Sequence, residues 1–193
     1  MSKYKYLIKN IGLLTISNFG SKILSFILIP LYTSILTTSE YGVYDIYSTT
    51  TSLLIPILTF NVVEGVMRFA LDETKDKKDV FSIGLKYVTI ASIVFTGLVT
   101  INDIFSFVPL FKQFSVYLVL LFIGSLFYTL VSQFARGIEK VLDLSVAGVI
   151  NSVSMLLLNI VFLLWFGWGI EGFFLANCLS YFIPSIYIVF RLK

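Results

Sequence analysis

The amino-acid sequence predicts an all-α membrane protein, a single bundle of six transmembrane helices. Three observations support this prediction: an apolar composition, six apolar runs that are each long enough to cross a bilayer, and a strong bias in the positions of lysine and arginine. The first identifies the solvent, the second gives the number of helices, and the third gives their orientation.

The composition places most of the chain in lipid. Of the 193 residues, 58% are hydrophobic and 13% are charged, and the mean hydropathy is +0.94. Soluble domains contain roughly 45–50% apolar and about 25% charged residues, and a soluble core of this size could not bury the excess. The small net charge of +3 gives no reason to expect nucleic acid as a partner.

The chain lacks the side chains that most catalytic and metal sites require. Cys178 is the single cysteine and there is no histidine, so an internal disulfide, a thiolate cluster and the commonest metal ligand and general base are all excluded. No P-loop motif is present, and the carboxylates of Leu71–Val80 alternate with lysines, as in a solvated loop. We therefore expect no cofactor, no metal and no enzymatic activity.

Each apolar run predicts one membrane-spanning helix, because about 20 apolar residues cross the hydrocarbon core. The links between the runs are too short to fold as separate domains, so we expect one six-helix lobe over residues 1–193. The predicted spans are Ile11–Leu36, Tyr41–Ala70, Phe81–Ile101, Phe114–Phe134, Leu144–Trp165 and Gly169–Phe190.

The basic residues orient the bundle. With the N-terminus inside, twelve of the 14 lysines and arginines lie on the inner side, Lys112 lies outside and Lys22 lies within a span. By the positive-inside rule this distribution predicts that both termini are cytoplasmic, in the inner (plasma) membrane of the cell. The inner set is Lys3, Lys5, Lys9, Arg68, Lys75, Lys77, Lys78, Lys86, Arg136, Lys140, Arg191 and Lys193.

Aromatic residues mark the predicted outer ends of two spans. Tyr41, Tyr44 and Tyr47 lie near the start of span two, and Trp165 and Trp168 lie at the end of span five. Tyrosine and tryptophan are enriched at membrane interfaces, so an outer aromatic belt is one interpretation and ordinary packing is the other.

Span one carries a polar stripe. Thr15, Asn18, Lys22 and Ser25 follow one another at helical spacing, and a lysine at mid-span costs roughly 2.5–3.5 kcal/mol on insertion scales. Two interpretations follow: Lys22 lines a hydrated cavity, or it belongs to a buried structural ion pair.

Span two carries polar residues near its cytoplasmic end and is longer than a bilayer requires, which predicts a tilted or projecting helix. Asn61, Glu64 and Arg68 share one helical face, and Glu64 and Arg68 have the i, i+4 spacing of an ion pair. This group is either an interfacial anchor or part of a ligand site. Pro56 lies in the same span and allows a kink.

Two asparagines in the last spans have the same ambiguity. Asn159 shares a stripe with Ser145 and Ser152, and Asn177 lies three residues before Ser180. Such side chains either hydrogen-bond between helices or contact a ligand.

Three segments of the chain resemble a known family. They are Gly20–Lys22 with the apolar run to Pro30, the turn Ser39–Tyr44, and the close of span two, Val66–Phe69. Together they resemble the N-terminal region of bacterial polysaccharide biosynthesis proteins of the oligosaccharide (O-antigen type) flippase family, a branch of the larger group that also contains multidrug and toxin extruders.

The resemblance implies a flippase that carries an undecaprenyl-diphosphate-linked oligosaccharide, such as a lipopolysaccharide repeat unit, across the membrane. Members of that family have two six-helix lobes around a cationic cavity. Lys22, and after it Arg68, match the basic cavity residues that bind the anionic diphosphate. The other candidates for the cavity are Asn18, Ser25, Asn61, Glu64, Asn159 and Asn177.

Family members are roughly twice as long as this chain, which therefore resembles the first lobe alone. We expect either a missing second lobe or a homodimer, with membrane lipids around it. The alternatives are a drug or cation extruder of the related branch and a non-transporting membrane protein, such as a subunit of a polysaccharide assembly machine or a membrane-embedded transferase.

Overall fold

A computed structural model of the protein describes residues 28–192 and, before them, Gly12 and Phe26. The described residues form helices and links without any strand, so the all-α prediction is confirmed for this part of the chain. The helices are α1 (residues 28–35), α2 (Thr38–Leu58), α3 (Val62–Leu71), α4 (Lys77–Phe105), α5 (Pro109–Lys112), α6 (Ser115–Gly137), α7 (Val141–Asn159), which continues as a π-helical segment (Ile160–Trp165), and α8 (Gly169–Leu192).

Four of these segments are long and apolar enough to cross a membrane: α4, α6, α7 with its π-helical continuation, and α8. The pair α2 and α3 makes a fifth if the bent pair is one span. Predicted span one lies outside the described residues except for Gly12, Phe26 and residues 28–36. The structure therefore supports four or five spans in the described part, and the prediction of six is not confirmed.

The boundaries of α4 differ from those of the predicted span because caps, not hydropathy, determine where a helix begins and ends. The helix begins at Lys77, inside the predicted link Leu71–Val80, where the Asp76 side chain accepts a hydrogen bond from the Lys78 amide at 2.7 Å. It continues past Ile101 to Phe105, and Ser106 ends it with φ at 55°. Similarly, the Thr37 hydroxyl and the Glu40 carboxylate form a capping box that begins α2.

Predicted span two, Tyr41–Ala70, consists of two helices with a break between them. The chain breaks after Leu58, and α2 and α3 are bent by 60° relative to each other. The Phe60 amide donates to Ile57 O at 3.3 Å and the Asn61 amide to Pro56 O at 3.0 Å, which is the Schellman pattern that ends a helix. Phe60 and Asn61 both have left-handed backbone, with φ at 49° and 58°, so the chain bends between the two helices.

Helix α6 lies at the centre of the bundle and contacts α2, α3, α4, α7 and α8. Its side chains Phe122, Leu126 and Leu130 are fully buried. Its last residue, Gly137, allows α3 to pass closely, because a Cβ there would lie 2.6 Å from Met67 O. The outer faces of α4 and α7 expose large apolar side chains such as Ile93, as lipid-facing helices do.

Two of the three tyrosines at the start of α2 pack inside the bundle, whereas Tyr41 is exposed. Tyr47 is fully buried and donates its hydroxyl to Leu110 O at 2.6 Å, and Tyr44 contacts Phe173 with ring centroids 4.4 Å apart. The packing interpretation therefore holds for Tyr44 and Tyr47. Trp165 and Trp168 are 79% and 50% exposed, so the aromatic-belt interpretation stays a prediction for these two residues.

Candidate functional site

A polar cavity of about 490 Å³ lies on the inner side of the bend between α2 and α3. Helices α6 and α8 form its other walls. Ten of its 14 described lining residues carry a hydroxyl, amide, carboxylate or phenol group beside the apolar parts of the wall, which is unusual in a bundle this apolar. The described lining residues are Ser48, Thr51, Ser52, Ile55, Pro56, Thr59, Asn61, Val63, Glu64, Leu121, Ser125, Tyr128, Thr129 and Tyr181.

The α2 wall follows from helical spacing. Ser48, Thr51 and Ser52 lie at i, i+3 and i+4 and thus share one face of the helix. The same face continues to Thr59, where the helix ends. Sequence reasoning missed this stripe, although its spacing is the one that identified the polar stripe of span one.

The α6 wall repeats the arrangement. Ser125 and Thr129 lie one helical turn apart, and Tyr128 between them contacts Tyr181 of α8, with ring centroids 6.0 Å apart. The wall therefore combines two hydroxyls with a pair of aromatic rings. This arrangement can accept hydrogen bonds and also pack against an apolar surface of a ligand.

Most of these hydroxyls donate their proton to their own helix. Thr59 Oγ1 donates to Ile55 O at 2.7 Å, Ser125 Oγ to Leu121 O at 2.6 Å and Thr129 Oγ1 to Ser125 O at 2.8 Å. Each oxygen keeps lone pairs that can accept a hydrogen bond from a ligand. The cavity therefore offers acceptors for a molecule rich in hydroxyl groups.

Thr51 is different from its neighbours. Its side chain is 4% exposed, and Oγ1 has no hydrogen-bond partner among the described residues. Leaving a buried hydroxyl without a partner costs about 1–3 kcal/mol. Such a group in a cavity wall is a good candidate for a ligand contact.

Glu64 is the charged member of the described lining. Gln133 of α6 donates a hydrogen bond from Nε2 to the Glu64 carboxylate, and Arg136 Nη1 donates to Gln133 Oε1 at 3.3 Å. A guanidinium therefore lies two hydrogen bonds from the carboxylate. The ion pair expected between Glu64 and Arg68 does not form, and Glu64 bonds to Gln133 of α6 instead.

Of the five predicted site residues that the structure describes, two line the cavity. Asn61 and Glu64 line the cavity, whereas Arg68 lies one turn beyond it. Asn159 and Asn177 are buried elsewhere and donate to their own helices, to Met155 O at 2.7 Å and to Phe173 O at 2.8 Å. Asn18, Lys22 and Ser25 lie outside the described residues.

The described part of the chain contains no group of three or more histidine, cysteine, aspartate or glutamate side chains arranged to hold a metal ion. The chemistry available in the cavity is thus that of hydrogen bonding, one carboxylate and aromatic packing. These groups suit binding and release of a polar molecule.

Comparison with known proteins shows which family the sequence matches and which solved structure has a similar fold. The family model described as "Polysaccharide biosynthesis protein" matches residues 7–192, and no curated protein sequence matches significantly. Among solved structures, the chain is similar to an outward-facing multidrug resistance MATE family transporter of the MOP superfamily, with a TM-score of 0.60 at 18% identity. That match covers 95% of this chain and 42% of the transporter's, so the chain spans about two fifths of that protein's length.

Proposed function

The chain belongs to the polysaccharide biosynthesis protein family, and we propose that it moves a lipid-linked oligosaccharide across the inner membrane during surface polysaccharide synthesis. The role is transport and not catalysis. In this proposal the oligosaccharide is a repeat unit such as that of O-antigen, and its carrier lipid remains anchored in the bilayer while the sugars cross.

The observation that carries the proposal is the polar cavity within an apolar bundle. Its hydroxyl acceptors and the paired rings of Tyr128 and Tyr181 match the two surfaces of a sugar, which has hydroxyl groups at its rim and CH groups on its faces. A cavity of about 490 Å³ lies within the range of about 300–1,000 Å³ that is usual for small-molecule sites.

An anionic diphosphate requires positive charge near the cavity, and the described lining supplies only the carboxylate of Glu64. We assign the positive charge to Lys22 on the stripe with Asn18 and Ser25, and Arg68 adds a second cation at the cytoplasmic end. A lysine or arginine in a low-dielectric cavity attracts a phosphate far more strongly than one in water.

A second lobe, or a second copy of this chain, completes the transport path in this proposal. The similar MATE transporter is more than twice the length that this chain matches. One lobe offers a polar wall, and a second lobe with the same orientation would supply the opposing wall, as in transporters built from parallel repeats.

The proposed orientation places the basic links in the cytoplasm. Lys140 donates a hydrogen bond from Nζ to Arg191 O, and Gly137 lies close to Met67, so the ends of α3, α6 and α8, each of which carries a basic residue, are neighbours. Lys112 lies at the other end of α4, beyond Phe105. Both observations agree with cytoplasmic termini under the positive-inside rule.

The transporter of similar fold is described as a multidrug resistance protein, so a drug or cation extruder is the second candidate. The two functions give different results when the gene is deleted. Loss of the proposed flippase removes surface polysaccharide, and lipid-linked oligosaccharide accumulates on the cytoplasmic side. Increased sensitivity to cationic drugs with normal surface polysaccharide would support the extruder and contradict the proposal.

A further inference from the structure

An apolar groove separate from the polar cavity lies between the beginning of α4 and the ends of α6 and α8. Its volume is about 470 Å³. It lies at the cytoplasmic end of the bundle in the orientation proposed above, and it opens to the lipid-facing side of α4. The described lining residues are Lys77, Lys78, Phe81, Ser82, Leu85, Phe134, Ile138, Val189 and Leu192.

The charges at the start of α4 are separated between two faces. Lys77 and Lys78 lie at the mouth of the groove, and its described lining contains no carboxylate. Asp76 and Asp79 face the other side of the helix, where they line a different pocket together with Lys75. The groove side of α4 is therefore positive, although the first turn as a whole is almost neutral.

The two lysines at the mouth are available for a ligand. Both are exposed, and neither has an ion pair with any described residue. The neighbouring basic side chains are already engaged: Arg191 Nε pairs with Asp143 Oδ1 at 2.8 Å, and Lys140 Nζ donates to Arg191 O. The free positive charge of the groove is thus that of Lys77 and Lys78.

The interior of the groove is apolar and elongated along the helix. Phe81 and Phe134 form one wall, with ring centroids 4.9 Å apart, and Leu85 lies two turns below Lys77. From Lys77 to Leu85 the helix rises roughly 12 Å. The groove thus places positive charge at the level of the headgroups and apolar side chains at the depth of the upper acyl chain.

From this arrangement we infer that the groove is a binding site for an anionic glycerophospholipid. The phosphate contacts Lys77 and Lys78, and one acyl chain lies along Phe81, Leu85 and Phe134. Basic pockets between transmembrane helices on the cytoplasmic side bind anionic headgroups in this way. The site uses the orientation proposed above but does not depend on the transported substrate, so the lipid site and the proposed transport are tested separately.

The test is native mass spectrometry of the purified full chain with added phosphatidylglycerol or phosphatidylcholine of identical acyl chains. We expect wild type to retain phosphatidylglycerol in preference. The double variant Lys77→Gln/Lys78→Gln should reduce the preference for phosphatidylglycerol over phosphatidylcholine about 25-fold, because each lysine near an anionic headgroup increases the affinity about fivefold. Glutamine retains good helix propensity, and both positions are exposed, so the variant keeps its fold.

Lys75→Gln is the matched control, because it removes one lysine from the same link but on the aspartate side of α4. It should leave the preference unchanged. Inorganic phosphate and glycerophosphoglycerol, which lack acyl chains, should not displace the lipid. Equal retention of both lipids by wild type, an equal effect of Lys75→Gln, or displacement by inorganic phosphate would each overturn the inference.

Discussion

Gln133 donates a hydrogen bond from its amide nitrogen to the carboxylate of Glu64, which lies 69 positions away in the sequence. This contact joins the C-terminal part of α6 to the first turn of α3, directly after the break. It therefore connects the bent element to the most buried helix of the bundle and sets the position of the one charged group in the described cavity wall.

We predict that this contact stabilises the bend. Glu64→Ala and Gln133→Ala should each lower the free energy of unfolding. The double variant should show a coupling free energy of about 1 kcal/mol between the two positions. This coupling is smaller than that of a fully buried charged hydrogen bond, because Glu64 is exposed to solvent. Thermal unfolding in detergent micelles measures this. Glu73→Gln, in the exposed link before α4, is the control and should change little; zero coupling between Glu64 and Gln133 would show that the contact contributes nothing.

The hydroxyl of Thr51 gives a prediction in which stability and transport change in opposite directions. Thr51→Val removes a buried oxygen that lacks a partner in the described structure and should stabilise the protein by about 1 kcal/mol, while transport falls because the ligand loses a contact. Thr59→Val, at a buried hydroxyl bonded to Ile55 O, should instead lower stability. If Thr51→Val leaves transport at the wild-type rate, the hydroxyl does not contact the ligand.

The helix break depends on left-handed backbone at a residue that does not favour it. Phe60 has φ at 49° and is 82% exposed, so Phe60→Gly removes about 1–2 kcal/mol of backbone strain and few contacts. We expect the variant to unfold at a higher temperature. Phe69→Gly, at an exposed phenylalanine inside α3, should unfold at a lower temperature; destabilisation by Phe60→Gly would contradict the assigned backbone.

The proposed orientation can be tested by cysteine labelling after the buried Cys178 has been replaced by alanine. Thr38→Cys at the start of α2 and Phe107→Cys between α4 and α5, both exposed, should react with an impermeant reagent from outside. Asp76→Cys should react only after the membrane is permeabilised. The opposite pattern would invert the topology and contradict cytoplasmic termini.

The four long helices could be predicted from the sequence because hydropathy reports directly on lipid exposure. Their ends could not, since Asp76 begins α4 through a hydrogen bond that hydropathy does not measure. Pro56 indicated a kink in span two, but phenylalanine carries no signal for left-handed backbone, so the break at Phe60 was missed.

The cavity was partly predictable for a similar reason. Spacing alone brought Asn61 and Glu64 together, and the same rule applied to α2 would have found Ser48, Thr51 and Ser52. The contribution of α6 could not be predicted from the sequence, because Gln133 and Tyr128 lie beside the bend only through packing between distant parts of the chain. Asn159 and Asn177 are of a residue type that is common in binding sites, but their side chains donate hydrogen bonds to their own helices.

The most direct test of the proposed function is transport of lipid-linked oligosaccharide in proteoliposomes. The protein for this assay is isolated from its native membranes, together with any second copy or partner that co-purifies. An impermeant glycosidase measures how much oligosaccharide reaches the opposite leaflet. We predict transport by wild type, its loss in Lys22→Ala and partial retention in Lys22→Arg, because a cation must meet the diphosphate. Folded wild-type protein that moves no oligosaccharide, or full transport by Lys22→Ala, would contradict the account.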